Sequence, residues 1–224
     1  MITVHHLENS RSQRVLWLLE ELAVPYELVK YARDAKTQLA PPELLKIHPL
    51  GKSPVITDDR DGGVTIAESG AILEYVAETY GQGRLVPTPG TAASRRYRYY
   101  MHYAEGSLMP LLLLKLIVRR IETAKMPFFA RPIARKIASS LAGGFVDPNL
   151  ARHVAFLAAE LADRPWFAGD DMTCADIQMS YPLEAIAARV PGAPAAIGAL
   201  VDRIRARPAF QRAIERGGTY EMMG

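Results

Sequence analysis

The chain has a single cysteine, Cys174, among 224 residues. No intrachain disulfide can form, so stability has to come from a packed core, and the usage fits a reducing compartment. A chain of this length with 49% hydrophobic and 23% charged residues supplies such a core, in one large or two small domains. Long apolar runs are missing too. The greasiest stretch, residues 108–118, is interrupted by Pro110 and Lys115. It falls short of the roughly 18 to 20 apolar residues that span a bilayer. The apolar run near the N-terminus is cut by Arg11, Arg14, Glu20 and Glu21, which is unlike a signal peptide, and a cytoplasmic location is expected. Zinc-ligand spacing, a compact Lys/Arg block and the aromatic run of RNA-binding sheets are all lacking, so neither a metal nor a nucleic-acid partner is expected. The net charge of +3 then reads as a solvated helical face. Its effect on anionic ligands is one of steering and association rate.

What is present divides into two halves. In the first, alternation predicts a strand at 2–7, and apolar spacing at Val15, Leu16, Leu19 and Leu22 predicts a helix over 12–22 that Pro25 stops. A strand at 26–30, a short helix at 42–46, strands at 55–57 and 64–67 around an Asp/Gly hairpin, and a helix at 69–80 follow. Gly83, Pro87 and Pro89 mark a linker over 82–91. Everything beyond reads helical, beginning with a long segment over 91–124 in which Pro110 predicts a kink. Further helices are expected at 129–141, 149–161, 173–188, 195–205 and 209–216. Thr173 followed by Asp176 reads as a helix N-cap with an acid three residues on, a capping box whose role is folding.

Two stretches carry chemistry. His48-Pro49-Leu50-Gly51-Lys52-Ser53-Pro54-Val55-Ile56 joins a polar loop to a strand through a Ser-Pro bond that a tight turn can hold cis. After the hairpin, Glu68 and Ser69 open a helix whose first N–H groups and dipole favour an anion. Together they fit a small, charged, peptide-like ligand. Its backbone would pair beside Pro54, its carboxylate would sit at the helix start, and its amine would meet Glu68.

These stretches, with the run from His5 through Ser10-Arg11-Ser12-Gln13-Arg14 to Glu21, resemble the glutathione S-transferase superfamily over nearly the whole chain. With no Tyr before Tyr26 and no early Cys, the resemblance is to serine-type bacterial and fungal members. It implies a thioredoxin-like α/β domain over 1–81 and an all-α domain over 92–224. The implied partners are glutathione as co-substrate, a small hydrophobic electrophile and a second subunit in a homodimer. The implied reaction is conjugation, with glutathione peroxidase activity as an addition.

Ser10 is the implied donor to the glutathione thiolate, with Ser12, Asn9 and Arg11 as alternatives; Ser12 is equally a natural N-cap. The resemblance assigns Ser12, His48, Lys52, Ser53, Pro54, Glu68 and Ser69 to glutathione binding. Leu7, Tyr103, Ser107 and Leu111 would line the second-substrate site. His5 and His6 read as structural or surface residues. A non-catalytic carrier of the same fold is the competing reading, whereas a thioredoxin-type oxidoreductase lacks the cysteine it needs at the first helix.

Overall fold

The computed structural model describes residues 1–218 and 220. Strands β1 (Ile2–Leu7), β2 (Tyr26–Tyr31), β3 (Val55–Asp58) and β4 (Val64–Ala67) form one mixed sheet in the order β2-β1-β3-β4. Helix α1 (Gln13–Leu22) is the crossover that lets β2 lie parallel to β1. The Asp/Gly hairpin makes β4 antiparallel to β3, and α2 (Ser69–Tyr80) leaves the end of β4. This is the expected thioredoxin-like arrangement. The Ser53–Pro54 peptide bond is cis.

Helices α3 (Ala92–Tyr103), α4 (Met109–Thr123), α5 (Arg131–Leu141), α6 (Asp147–Ala162), α7 (Cys174–Arg189), α8 (Ala195–Arg205) and α9 (Pro208–Gly217) form the second half. One apolar core runs through both halves, from Val4 and Leu16 to Leu183 and Ile204. Helix α1 sits in the middle of it. Sequence periodicity gave α1 one apolar face, yet Trp17 and Leu18 are buried as well, because α9 covers the side away from the sheet. Trp17 meets Phe210 edge-on at 5.3 Å, while Arg207 and Arg212 pair with Glu21 and Glu20. The two glutamates that broke the N-terminal apolar run are thus the polar clamps for the last helix.

The expected kink at Pro110 takes a different form. A π-helical turn (Ala104–Leu108) precedes α4, with the Met109 N–H reaching the Ala104 carbonyl. Pro110 enters at the second position of α4, where no donor is needed. The break expected between 141 and 149 is replaced by a second π turn (Ala142–Val146), again followed by a proline at the second position of the next helix. The stretch Ala92–Thr123 is consequently one 32-residue helical rod, long and apolar enough to cross a membrane by length and composition. Its α3 half, however, buries Tyr97, Tyr100 and Met101 in the core.

The Thr173 box forms as read. The Asp176 carboxylate accepts the N–H of Thr173 and of Phe167, each at 2.8 Å, and the Thr173 hydroxyl at 3.0 Å. Asp176 is fully buried, and that burial pushes its pKa up to about 6 despite the three donors.

Candidate active site

A cleft of about 630 Å³ opens where the β1–α1 turn, the loop before β3 and the start of α2 face the π turn before α4. Its walls include Leu7, Ser10, His48, Lys52, Ser53, Pro54, Glu68 and Ser69. Eight residues singled out from sequence therefore converge on one concavity.

Each wall has a local cause. The Ser53 hydroxyl donates to the His5 carbonyl at 2.9 Å and accepts the Leu7 N–H at 3.2 Å. It takes over the β1 edge just where the ladder with β3 ends at His5. The loop is thereby docked by a side chain, leaving Ser53 backbone beside the cleft. Glu68 holds φ 73° and ψ 122° at the β4–α2 junction. A non-glycine residue there costs on the order of 1–3 kcal/mol. Its exposed carboxylate is in no ion pair among the described residues. The His48 imidazole accepts the Leu50 N–H at 3.3 Å and so braces its own loop, with Lys52 exposed beside it.

Ser10 follows Asn9, whose φ of 49° turns the chain out of β1. Arg33, which the sequence did not flag, props this turn by donating to the Glu8 carbonyl at 3.2 Å and the Asn9 carbonyl at 3.1 Å. The Ser10 Oγ accepts the Ser12 N–H at 3.2 Å and lies 2.7 Å from the Ser12 Oγ. Ser12 in turn sits 2.8 Å from the His6 Nδ1 and donates to the Leu7 carbonyl at 3.2 Å. Ser12 is fully buried and is not a wall of the cleft. It also makes no side-chain cap, so in place of the N-cap role its hydroxyl takes a position in a buried chain, His6–Ser12–Ser10, behind the cleft wall. Burial pulls His6 down to about 4, so its ring is neutral at pH 7. Because Ser12 gives its proton to the Leu7 carbonyl, the 2.7 Å contact directs the Ser10 proton to the Ser12 Oγ, and rotation about the Ser10 Cβ–Oγ bond turns that proton toward a sulfur in the cleft.

The charged floor lay beyond sequence reasoning. Arg14 is 1% exposed, and its Nη1 donates to Glu105 Oε1 at 2.6 Å and to Ser69 Oγ at 3.1 Å. Arg11 Nε reaches the same carboxylate at 2.9 Å, and both guanidiniums stand 5.4 Å from the centre of the Tyr181 ring. Burial works against the Glu105 carboxylate, but the two cations outweigh it and hold the pKa below the ordinary value. The Nε and Nη2 of Arg14 are buried without a partner. Arg14 and the α2 N-terminus thus meet at Ser69, and since Glu105 offsets only one of the two guanidinium charges the floor keeps a net positive charge, which suits an anion there.

Of the residues assigned to a second-substrate site, only Leu7 lines the cleft. Tyr103 is buried, with its ring stacked on Tyr99 and its hydroxyl on His153. Ser107 points to solvent and Leu111 is buried. Glu105, from the π turn, lines the cleft instead, joined by Tyr181 from α7.

Sheet, helical half and cleft together define a two-part protein, a thioredoxin-like half whose polar cleft opens against an all-helical half. The family model for the glutathione S-transferase N-terminal domain matches residues 1–78, and that for the C-terminal domain matches 145–208. Glutathione S-transferase 3 of Schizosaccharomyces pombe is 38% identical, over 82% of this chain and 73% of its own length. Glutathione S-transferase 1 of Saccharomyces cerevisiae is 36% identical, over 87% and 84%. The crystal structure of a glutathione S-transferase from Actinobacillus pleuropneumoniae superposes with a TM-score of 0.78 at 27% identity, covering 97% of this chain and 93% of that one. The chain belongs to the glutathione S-transferase family and is a glutathione transferase.

Proposed function

We propose that the cleft binds glutathione with its sulfur at Ser10 and adds the thiolate to small hydrophobic electrophiles. The observation that carries this reading is the Ser10 hydroxyl, at the end of β1 in the cleft wall, with its acceptor side already engaged by the Ser12 N–H at 3.2 Å. The γ-glutamyl carboxylate meets Ser69 and the α2 start, its ammonium meets the carboxylate of Glu68, and the cysteinyl backbone pairs with Ser53 beside Pro54. Lys52, with His48 behind it, takes the glycyl carboxylate. The electrophile lies over Leu7 and Tyr181.

A free thiol has a pKa of about 8.5, so only a few per cent is thiolate at pH 7. A hydroxyl donating to the sulfur anion is a charge-assisted bond worth about 1.5–3 kcal/mol, or roughly one to two pKa units. The thiol proton leaves to solvent, the C–S bond forms, and the electrophile's leaving group departs with the electron pair. Ser10 keeps its own proton throughout. The nearby Arg11 and Arg14 add to the positive potential. Homodimer formation belongs to the same reading and is checked by light scattering.

Ser10→Ala is the direct test. The pKa of bound glutathione, read by thiolate absorbance, should rise by about one to two units, and kcat at pH 7 should fall about 10- to 100-fold with little change in glutathione affinity. Unchanged turnover would transfer the role to Ser12, Arg11 or Asn9. A panel of aryl halides, epoxides, isothiocyanates and hydroperoxides separates conjugation from peroxidase activity. Retention of glutathione with none of these consumed would favour a carrier.

A further inference from the structure

Among the described residues, the helical half gives the cleft the side chains of Glu105 and Tyr181. Glu105 is committed to Arg11 and Arg14. Tyr181 is 3% exposed, and its ring is held by its neighbours. The Arg11 and Arg14 guanidiniums each stand 5.4 Å from its centre, and the Tyr220 ring lies 6.5 Å away, inclined at 56°.

The hydroxyl at the end of this ring is unspent. A buried phenol ordinarily finds a hydrogen-bond partner, and Tyr26, Tyr75, Tyr80, Tyr100 and Tyr220 each donate to a carboxylate. Tyr181 makes no hydrogen bond to a described residue, yet its oxygen is not one of the polar atoms sealed from solvent. The opening that reaches it is the cleft whose wall it forms. Tyr97 and Tyr99 also make no such bond among the described residues, but neither lines the cleft.

Position and charge decide what this proton is for. The groups assigned to glutathione, Ser10, Lys52, Ser53, Glu68 and Ser69, all belong to the first half, and Tyr181 reaches the cleft from α7. That leaves its hydroxyl to the second substrate. Beside the ring are two guanidiniums offset by one carboxylate, so this wall favours an acceptor that gains negative charge during the reaction. Such charge forms on oxygen when a thiolate opens an epoxide or adds to a conjugated carbonyl. In displacement of chloride from a nitroaryl ring it spreads over the ring and its nitro groups instead.

We infer that Tyr181 is a catalytic residue whose hydroxyl donates to the oxygen of the electrophile, and that the substrates this wall serves are epoxides and α,β-unsaturated carbonyls. The inference rests on the glutathione reading given above. In epoxide opening the C–S bond forms, the C–O bond breaks with its electron pair passing to oxygen, and that oxygen takes the Tyr181 proton, which solvent restores through the cleft. With a conjugated carbonyl the C–S bond forms at the β-carbon, the displaced π electrons place the charge on the carbonyl oxygen, the Tyr181 O–H stabilises that enolate, and solvent protonates the α-carbon.

The test is Tyr181→Phe, which keeps the ring and its cation contacts, compared with wild type on styrene oxide, benzylideneacetone and chlorodinitrobenzene. The loss of kcat/KM on the epoxide and the enone should exceed the loss on the aryl halide by about 10- to 100-fold. The pKa of bound glutathione, read by thiolate absorbance, should match that in wild type. Equal losses on all three substrates would reduce Tyr181 to packing, and a raised thiol pKa would assign its hydroxyl to the sulfur; either result overturns the inference. So would a wild-type enzyme that conjugates the aryl halide but neither oxygen-bearing electrophile, which leaves the glutathione reading intact. Failure of that reading looks different: wild type would consume none of the three, the thiol would keep its ordinary pKa of about 8.5, and both conclusions would fall together.

Discussion

Replacing Glu105 by Gln removes the counter-ion of a guanidinium that has almost no contact with water. Arg14 is 1% exposed and spends Nη1 on Glu105 and Ser69, while its other two nitrogens are buried and unpaired. Removing one partner of a buried pair costs about 3–5 kcal/mol. The Ser69 hydroxyl and the Tyr181 ring stay with Arg14, and Glu105 is itself partly solvated at 31%, so the lower end applies. A loss of about 3 kcal/mol in a chain of this size lowers Tm by roughly 6–12 °C. Urea titration at pH 7 should show a lower midpoint with an unchanged slope. The double variant Arg14→Met with Glu105→Gln should lie within about 1 kcal/mol of Arg14→Met alone, since the buried charge has gone with its partner. The pH dependence adds a second constraint. The folded state holds the Glu105 pKa below 4.5, so its contribution is present above that value and is lost as pH falls through the folded pKa. The gap between wild type and Glu105→Gln should therefore narrow in acid. A loss below about 1 kcal/mol at pH 7 would show that Arg14 does not depend on the ion pair, and the account of the cleft floor would fail.

Asp176→Ala strands the N–H groups of Phe167 and Thr173 and should cost about 3–5 kcal/mol in urea titration. Here the pH trend has the opposite sign. The folded pKa is raised to about 6, so this carboxyl favours folding most below 3.8 and loses that advantage as pH rises through about 6. The deficit of the variant should widen as pH falls from 7, and a deficit that narrows would contradict the assignment. Cys174 is fully buried, and burial raises its thiol pKa, so a disulfide reagent should modify it only at the rate of unfolding. Rapid stoichiometric labelling of the folded chain would refute that. Ser12→Ala takes away the hydroxyl between His6 and Ser10 and should cost about 1–3 kcal/mol of stability, with a smaller rise in the bound thiol pKa than Ser10→Ala gives. An equal or larger rise would make Ser12 the donor.

Much of the molecule was legible in the chain because the signals were local. Strands 2–7 and 64–67 and helices 69–80 and 195–205 fall where alternation, spacing and Gly/Pro punctuation place them. The Thr173–Asp176 box could be read because its partners lie within one helical turn. The loop at 48–56 and the Glu68-Ser69 pair gave the cleft for a similar reason, since a cis Ser–Pro bond and a helix start are properties of neighbouring residues.

The failures share a cause as well. Pro110 was read as a kink and the helices were expected to break between 141 and 149, but a π turn in each place lets the helix continue, and Glu105 of the first turn, not Tyr103, lines the cleft. Ser12 looked like a cap until the neighbouring strand supplied His6 as its partner.

The sequence by itself determined the elements, their order and the half of the cleft built from consecutive residues, because hydrogen bonding and turn chemistry act over a few positions. Only the tertiary structure decided that Arg14 meets a carboxylate 91 residues away and that α5 turns its isoleucines to solvent. Both depend on which surfaces are brought together in space, and periodicity records that a helix has an apolar side without recording what lies against it.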